Sequence, residues 1–177
     1  MRFIRFCLCP VMGVLFCVTG VAAAQQPAPV PAAPVPAALA TAKKVFVSNA
    51  GSDSGLFPHP FSGTESRPYD EFYAGLKTLG AYELENDPAD ADLVFELRLI
   101  APNGPANADK TKGASDPLPM LRLVIYDRKS HYVLWALAES VGGANFQKTH
   151  DRNFDDAIHA LIEDVKNLGA GAASPAA

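Results

Sequence analysis

Met120-Leu-Arg-Leu-Val-Ile-Tyr-Asp127, then Arg128-Lys-Ser-His131, then Tyr132-Val-Leu-Trp-Ala-Leu-Ala-Glu-Ser-Val141 is the stretch on which the reading of this chain turns. Two runs rich in aliphatic and aromatic residues flank four polar ones, the pattern of a β-hairpin. Side chains alternate faces along a strand. With Asp127 opposite Tyr132, alternation puts Leu121, Leu123 and Ile125 on one face with Leu134, Ala136 and Ala138. A two-residue loop leaves that sorting unchanged. The small alanines let a helix approach, so this face is assigned to the core. The other face then carries Arg122, Val124 and Tyr126 with Val133, Trp135 and Leu137.

Working outward, Leu93 to Ile100 alternates Leu93, Phe95, Leu97 and Leu99 against Glu96 and Arg98, and predicts a further strand. Lys43–Asn49 predicts a first strand, and Tyr82 with Leu84 a short one. Between them, Pro68 suits a helix start, where its missing N–H costs nothing. Tyr69, Phe72, Tyr73, Leu76 and Leu79 follow at helical spacing, and Gly80 ends the run. A second helix is read from a cap at Asn153, with Asp156 as its partner three residues on. Its apolar stripe is Phe154, Ala157, Ile158, Leu161, Ile162, Val165 and Leu168. The order predicts an α+β fold: a mostly antiparallel sheet of four to five strands with two helices packed on one face. Gly51 to Arg67 and Ala101 to Leu118 are rich in turn formers and read as loops.

The ends read differently. Arg2 and Arg5, the apolar run Phe6–Val18 and the small residues at Ala22 and Ala24 have the order of a secretory signal peptide over 1–24. A retained anchor or lipidation at Cys17 are the alternatives; Phe16 is large for a residue preceding a lipid-modified Cys. Pro recurs at 27, 29, 31, 34 and 36, so 25–42 is read as an extended linker. The domain is placed at 43–168 and a flexible tail at 169–177. Cys7, Cys9 and Cys17 all fall in the signal, so the processed chain has no thiol for a disulfide, a metal or nucleophilic catalysis. The location expected is periplasmic or secreted, with no membrane insertion after cleavage. Removing Arg2 and Arg5 makes the formal charge of −4 more negative. With no basic stripe, nucleic acid is not an expected partner.

Chemistry-bearing motifs are sparse. His59, His131, His150 and His159 lack zinc spacing. Asp87, Asp90 and Asp92 lack the Gly and the distal Glu of an EF-hand loop. No Gly-x-Ser-x-Gly elbow or phosphate loop is present. No catalytic residue, cofactor or metal is assigned. The surface singled out is the second hairpin face, with Trp135, Tyr126, Arg122, Arg98, Val124 and Val133 as its residues, because Tyr, Trp and Arg recur in binding hot spots. Its partner would be another envelope protein or a second copy. The bland alternative is that the 101–118 loop or the Pro-rich segment covers Trp135. Two other functions stay open: a small-ligand or metal-binding module under the loops 51–67 and 101–118, and a hydrolase with loop-borne His59 or His150.

Three segments carry a resemblance: Ala89-Asp-Ala-Asp-Leu-Val-Phe-Glu-Leu-Arg-Leu99, the hairpin from Leu121 to Ala136, and Phe154-Asp-Asp-Ala-Ile-His-Ala-Leu-Ile-Glu-Asp-Val165. Together they resemble small bacterial envelope α/β domains and, more distantly, the TolB amino-terminal domain and CsgG-type periplasmic domains. The lipid-attachment Cys of the CsgG type and the propeller of TolB have no counterpart here. The resemblance implies the same fold, an envelope location and a non-enzymatic binding role; it transfers no catalytic residue.

Overall fold

The computed structural model describes residues 34–102 and 118–173. The signal, most of the linker and the core of the 101–118 loop lie outside the described residues. Eight elements follow one another: α1 (Ala37–Thr41), β1 (Lys44–Ser52), α2 (Arg67–Leu79), β2 (Glu83–Glu85), β3 (Leu93–Ile100), β4 (Met120–Asp127), β5 (Val133–Ser140) and α3 (Gln147–Ala173). The strands form one mixed sheet in the order β2-β1-β3-β4-β5. β1 runs parallel to β2 and β3, while the longer ladders β3–β4 and β4–β5 are antiparallel. This is the α+β, mostly antiparallel architecture that the pattern predicted.

The alternation in β3 fixes which side is inside. Leu93, Phe95, Leu97 and Leu99 are buried and stand beside Val45 and Val47 of β1 and Leu121, Leu123 and Ile125 of β4. All helices lie on this one face: Leu39 of α1, Phe72 and Leu76 of α2, and Phe154, Ile158, Leu161 and Val165 of α3 join the same apolar cluster. α2 starts and stops where its signals are, with Pro68 in the first turn and Gly80 left-handed at φ +65°. Where α2 meets α3, a Cβ on Gly75 would fall 2.1 Å from Ile162 Cδ1, so only glycine allows this approach without repacking.

Four expectations need correction. The end of the Pro/Ala-rich stretch is not extended: Ala37–Thr41 makes a helical turn that buries Leu39, because burying that side chain outweighs the polyproline preference of the flanking residues. α3 begins at Gln147, so Asn153 is not its cap; the Asn153 Nδ2 donates instead to the Gly142 and Gly143 carbonyls at 2.9 and 3.4 Å. α3 also runs on to Ala173, into the span read as a tail. The fourth correction concerns β5. Near the hairpin turn Tyr126 faces Val133, but the next pair is Ile125 with Trp135, and the shifted register holds from there to Met120 with Ser140. Leu134 is the extra residue of a β-bulge, which inverts the alternation of everything beyond it. Trp135 and Leu137 therefore point to the core side, and Ala136 and Ala138 stand exposed on the other.

Candidate functional site

The helix-free side of the sheet is built from the outward positions of every strand. On β3 these are Val94, Glu96, Arg98 and Ile100, and opposite them on β4 stand Tyr126, Val124, Arg122 and Met120. β5 adds Val133, Ala136 and Ala138. Of the six residues singled out from the sequence, Arg98, Arg122, Val124, Tyr126 and Val133 share this face. Trp135 does not; the bulge at Leu134 sends it to the helix side, half-buried against the core.

Arg98 and Arg122 are directly cross-strand, an arrangement that like charge disfavours. The fold relieves it at one member: Arg98 Nη2 lies 2.9 Å from Asp53 Oδ1. The Ala101 N–H donates to the other Asp53 oxygen at 2.9 Å. That backbone bond first, and Arg98 second, overcome desolvation and hold the Asp53 carboxyl below the usual Asp range. Among the described residues Arg122 takes part in no ion pair. Val124, opposite Glu96, is buried at 6% exposure, while Tyr126 is half-buried with its hydroxyl 3.5 Å from Glu96 Oε1. Towards the hairpin turn the face dips into a depression of about 750 Å³ lined by Val94, Glu96, Tyr126, Arg128 and Lys129, among others.

The other polar constellation lies on the helix side, and sequence reasoning missed it. Arg67, 15% exposed, opens α2 and reaches across to α3: its Nε meets Glu71 at 2.6 Å, Nη1 meets Asp151 at 2.7 Å and Nη2 meets Asp155 at 2.6 Å. Nη1 also donates to the Ser62 carbonyl at 3.0 Å, and the guanidinium sits 4.6 Å from the centre of the Phe154 ring. Asp151 in turn accepts the Ser62 N–H at 2.8 Å and its hydroxyl at 2.6 Å. Burial raises Asp151, but the Ser62 and Arg67 bonds prevail and leave its carboxyl below the usual range. For Glu71 burial wins over Arg67, and the carboxyl is raised. The signal was there: Asp151 and Asp155 are one helical turn apart, as are Arg67 and Glu71. With every member engaged, the network clamps the 53–66 loop between α2 and α3.

That loop is packed rather than open. Leu56 and Phe61 are fully buried, and Phe57, Phe61 and Phe154 form an aromatic cluster with centroid separations from 5.4 to 6.4 Å. His150, expected on a loop, belongs to α3 and lies edge-on to Phe61 at 5.9 Å; His59 is exposed on the loop surface. Among the described residues no three His, Cys, Asp or Glu side chains converge to hold a metal ion. Between α2 and α3 runs a shallow groove of about 870 Å³, floored by Gly75 and Ile162 with Arg67 at one end.

No protein-family model and no curated protein matches the chain. Among solved structures, a dodecamer of a PelC variant from Paraburkholderia phytofirmans matches at a TM-score of 0.43 and 14% identity, over 75% of this chain and 89% of that one. TolB from Acinetobacter baumannii matches at 0.43 and 14%, over 73% of this chain and 29% of TolB, so the chain spans under a third of that protein. A DUF330-family protein from Xanthomonas campestris matches at 0.37 and 12%, over 80% of this chain and 87% of that one. No helix among the described residues is long and apolar enough to cross a membrane.

Proposed function

We propose that this chain is an exported, non-enzymatic module that binds another protein through the helix-free face of its sheet. The observation that carries the reading is the composition of that face: half-buried Tyr126, Val94 and Ile100 and the buried Val124 are flanked by the cross-strand pair Arg98 and Arg122, and no helix among the described residues lies over them. Tyr and Arg side by side on a half-buried face are the residue types that recur at contact sites. The arginines set the partner chemistry. A surface combining an aliphatic or aromatic patch with carboxylates would relieve the Arg98–Arg122 repulsion and bury Tyr126. The periplasmic or secreted location rests on residues 2–24, as does the absence of a membrane-inserted state after processing.

The test is site-specific photocrosslinking from position 126 in the purified chain against an envelope extract, with Arg122→Glu as the matched control. The reading expects a discrete adduct that Arg122→Glu abolishes while far-ultraviolet circular dichroism stays native. Equal adducts from both proteins, or none from position 126 beside strong ones from the α2–α3 groove, would move the binding surface elsewhere.

A further inference from the structure

β5 is an edge strand: among the described residues nothing lies beyond it. Which of its backbone groups are free follows from the ladder. Val141 N–H donates to the Pro119 carbonyl at 2.7 Å, in the same register that pairs Met120 with Ser140. Antiparallel pairs alternate between hydrogen-bonded and non-bonded, so Glu139, Leu137 and Trp135 bond inward to β4. The N–H and C=O groups of Ser140, Ala138 and Ala136 consequently point out of the sheet edge. Their side chains are the smallest available and all three are exposed on the helix-free face. The strand carries neither Lys nor Pro; the bulge at Leu134 and the inward Glu139 are the devices that limit its pairing, and they leave the run Ala136–Ser140 regular.

This edge is self-complementary. Set against a second copy with Ala138 opposite Ala138, it pairs Ala136 with Ser140 in both directions, and every outward N–H and C=O of the three residues finds a partner. That makes about six interchain hydrogen bonds, two for each narrow pair. The bulge at Leu134 bounds the segment on one side and Gly142-Gly143 on the other. On the helix side Leu137 meets Glu139 of the second copy, so the only charge in the strand does not face itself. We propose that the chain forms a two-fold dimer through antiparallel pairing of β5 edges, continuing the sheet across the axis.

A pH dependence comes with this register. On its own chain Glu139 stands beside Leu121 of β4 and is faced from α3 by Asp164. Burial, then the Asp164 carboxylate, already raise its pKa. Pairing makes the two Glu139 side chains diagonal neighbours, which raises it further. Groups that titrate higher in the dimer than in the monomer take up protons on association, so the dimer tightens as pH falls.

Sedimentation equilibrium of the purified chain, over a concentration series at about pH 7.5 and about pH 5, tests the proposal. The mass is expected to rise from one chain towards two, with several-fold tighter association at the lower pH. Ala138→Pro removes an N–H that the monomer's ladder does not use, and Ala138→Lys sets two ammonium groups against each other. Each is expected to weaken the dimer at least about tenfold, while Tyr132→Lys, exposed and outside the paired segment, leaves it intact. A single-chain mass throughout, or a dimer that survives both Ala138 variants, overturns the edge pairing. A dimer indifferent to pH overturns this register.

Discussion

Replacing Arg67 by Met keeps the aliphatic stem and removes the charge and all the donors, so its cost can be worked contact by contact. The bond to Asp151, whose side chain is 23% exposed, is charge-assisted and worth about 1–2 kcal/mol. The neutral Ser62 carbonyl adds about 0.5–1 kcal/mol. Glu71, one turn along the same helix and 35% exposed, contributes about 0.3–0.5 kcal/mol. The Phe154 ring gives a further ~0.5–1 kcal/mol. Asp155, 48% exposed, is screened by water and adds almost nothing. The expected loss is about 2–4 kcal/mol, or roughly 5–15 °C in Tm for a domain of this size. Urea unfolding followed by circular dichroism measures it. Arg67→Lys, which keeps one charge but not the planar fork, should recover less than half. A loss below about 1 kcal/mol for Arg67→Met, or full stability in the Lys variant, would show that the loop is held by its buried Leu56 and Phe61 alone.

Three further outcomes can be checked. Leu137→Asp should destabilise by more than about 2 kcal/mol, because it buries a carboxylate against α3, while Ala136→Asp should cost under about 1 kcal/mol; urea midpoints that reverse this order would refute the bulge at Leu134. Gly75→Val should cost about 2–3 kcal/mol through its collision with Ile162, and Gly75→Ala combined with Ile162→Val should restore near-native thermal stability. Asp53, Asp92 and Asp151 all titrate below the ordinary Asp value of 3.8 in the fold. A carboxyl depressed by folding contributes stability above its unfolded pKa and loses it as pH falls through the folded one. Unfolding free energy should therefore drop as pH goes from about 4 downwards. Asp92→Asn, which weakens the acceptor for the Lys43 and Lys44 N–H groups, should be less stable at neutral pH and flatter in acid.

What could be read from sequence was whatever a short-range rule determines. α2 is bracketed by Pro68 and Gly80, and β3 shows its faces because it is buried on one side only. The assignment of β5 failed for a definite reason. A bulge adds one residue without any composition signal, and one residue is all that separates the two faces of a strand. The reading treated Leu134-Trp135 as alternating, and both in fact pack towards the core. α1 was missed because its stability comes from docking Leu39, a tertiary effect that local propensity does not contain. The Arg67 network was missed because its members come from α2, a loop and α3; the helical spacing of Asp151 and Asp155 marked a shared face but not what it faced. The helix-free face was legible in its β3 and β4 residues, where no bulge intervenes, and Trp135 was misassigned to it.

The bulge also gives the hairpin a spare residue. Deleting Leu134 would bring Val133 directly before Trp135 and leave a regular ladder, with Trp135 through Ser140 still opposite the same β4 partners. Deleting any residue from Ala136 to Glu139 would instead turn the rest of the strand over. Relatives of this chain can thus differ in length by one residue at position 134 and keep the same inside and outside. An alignment that places the gap a few residues later would exchange core for surface over the residues between the two positions, and would match Trp135 with an outward-facing residue.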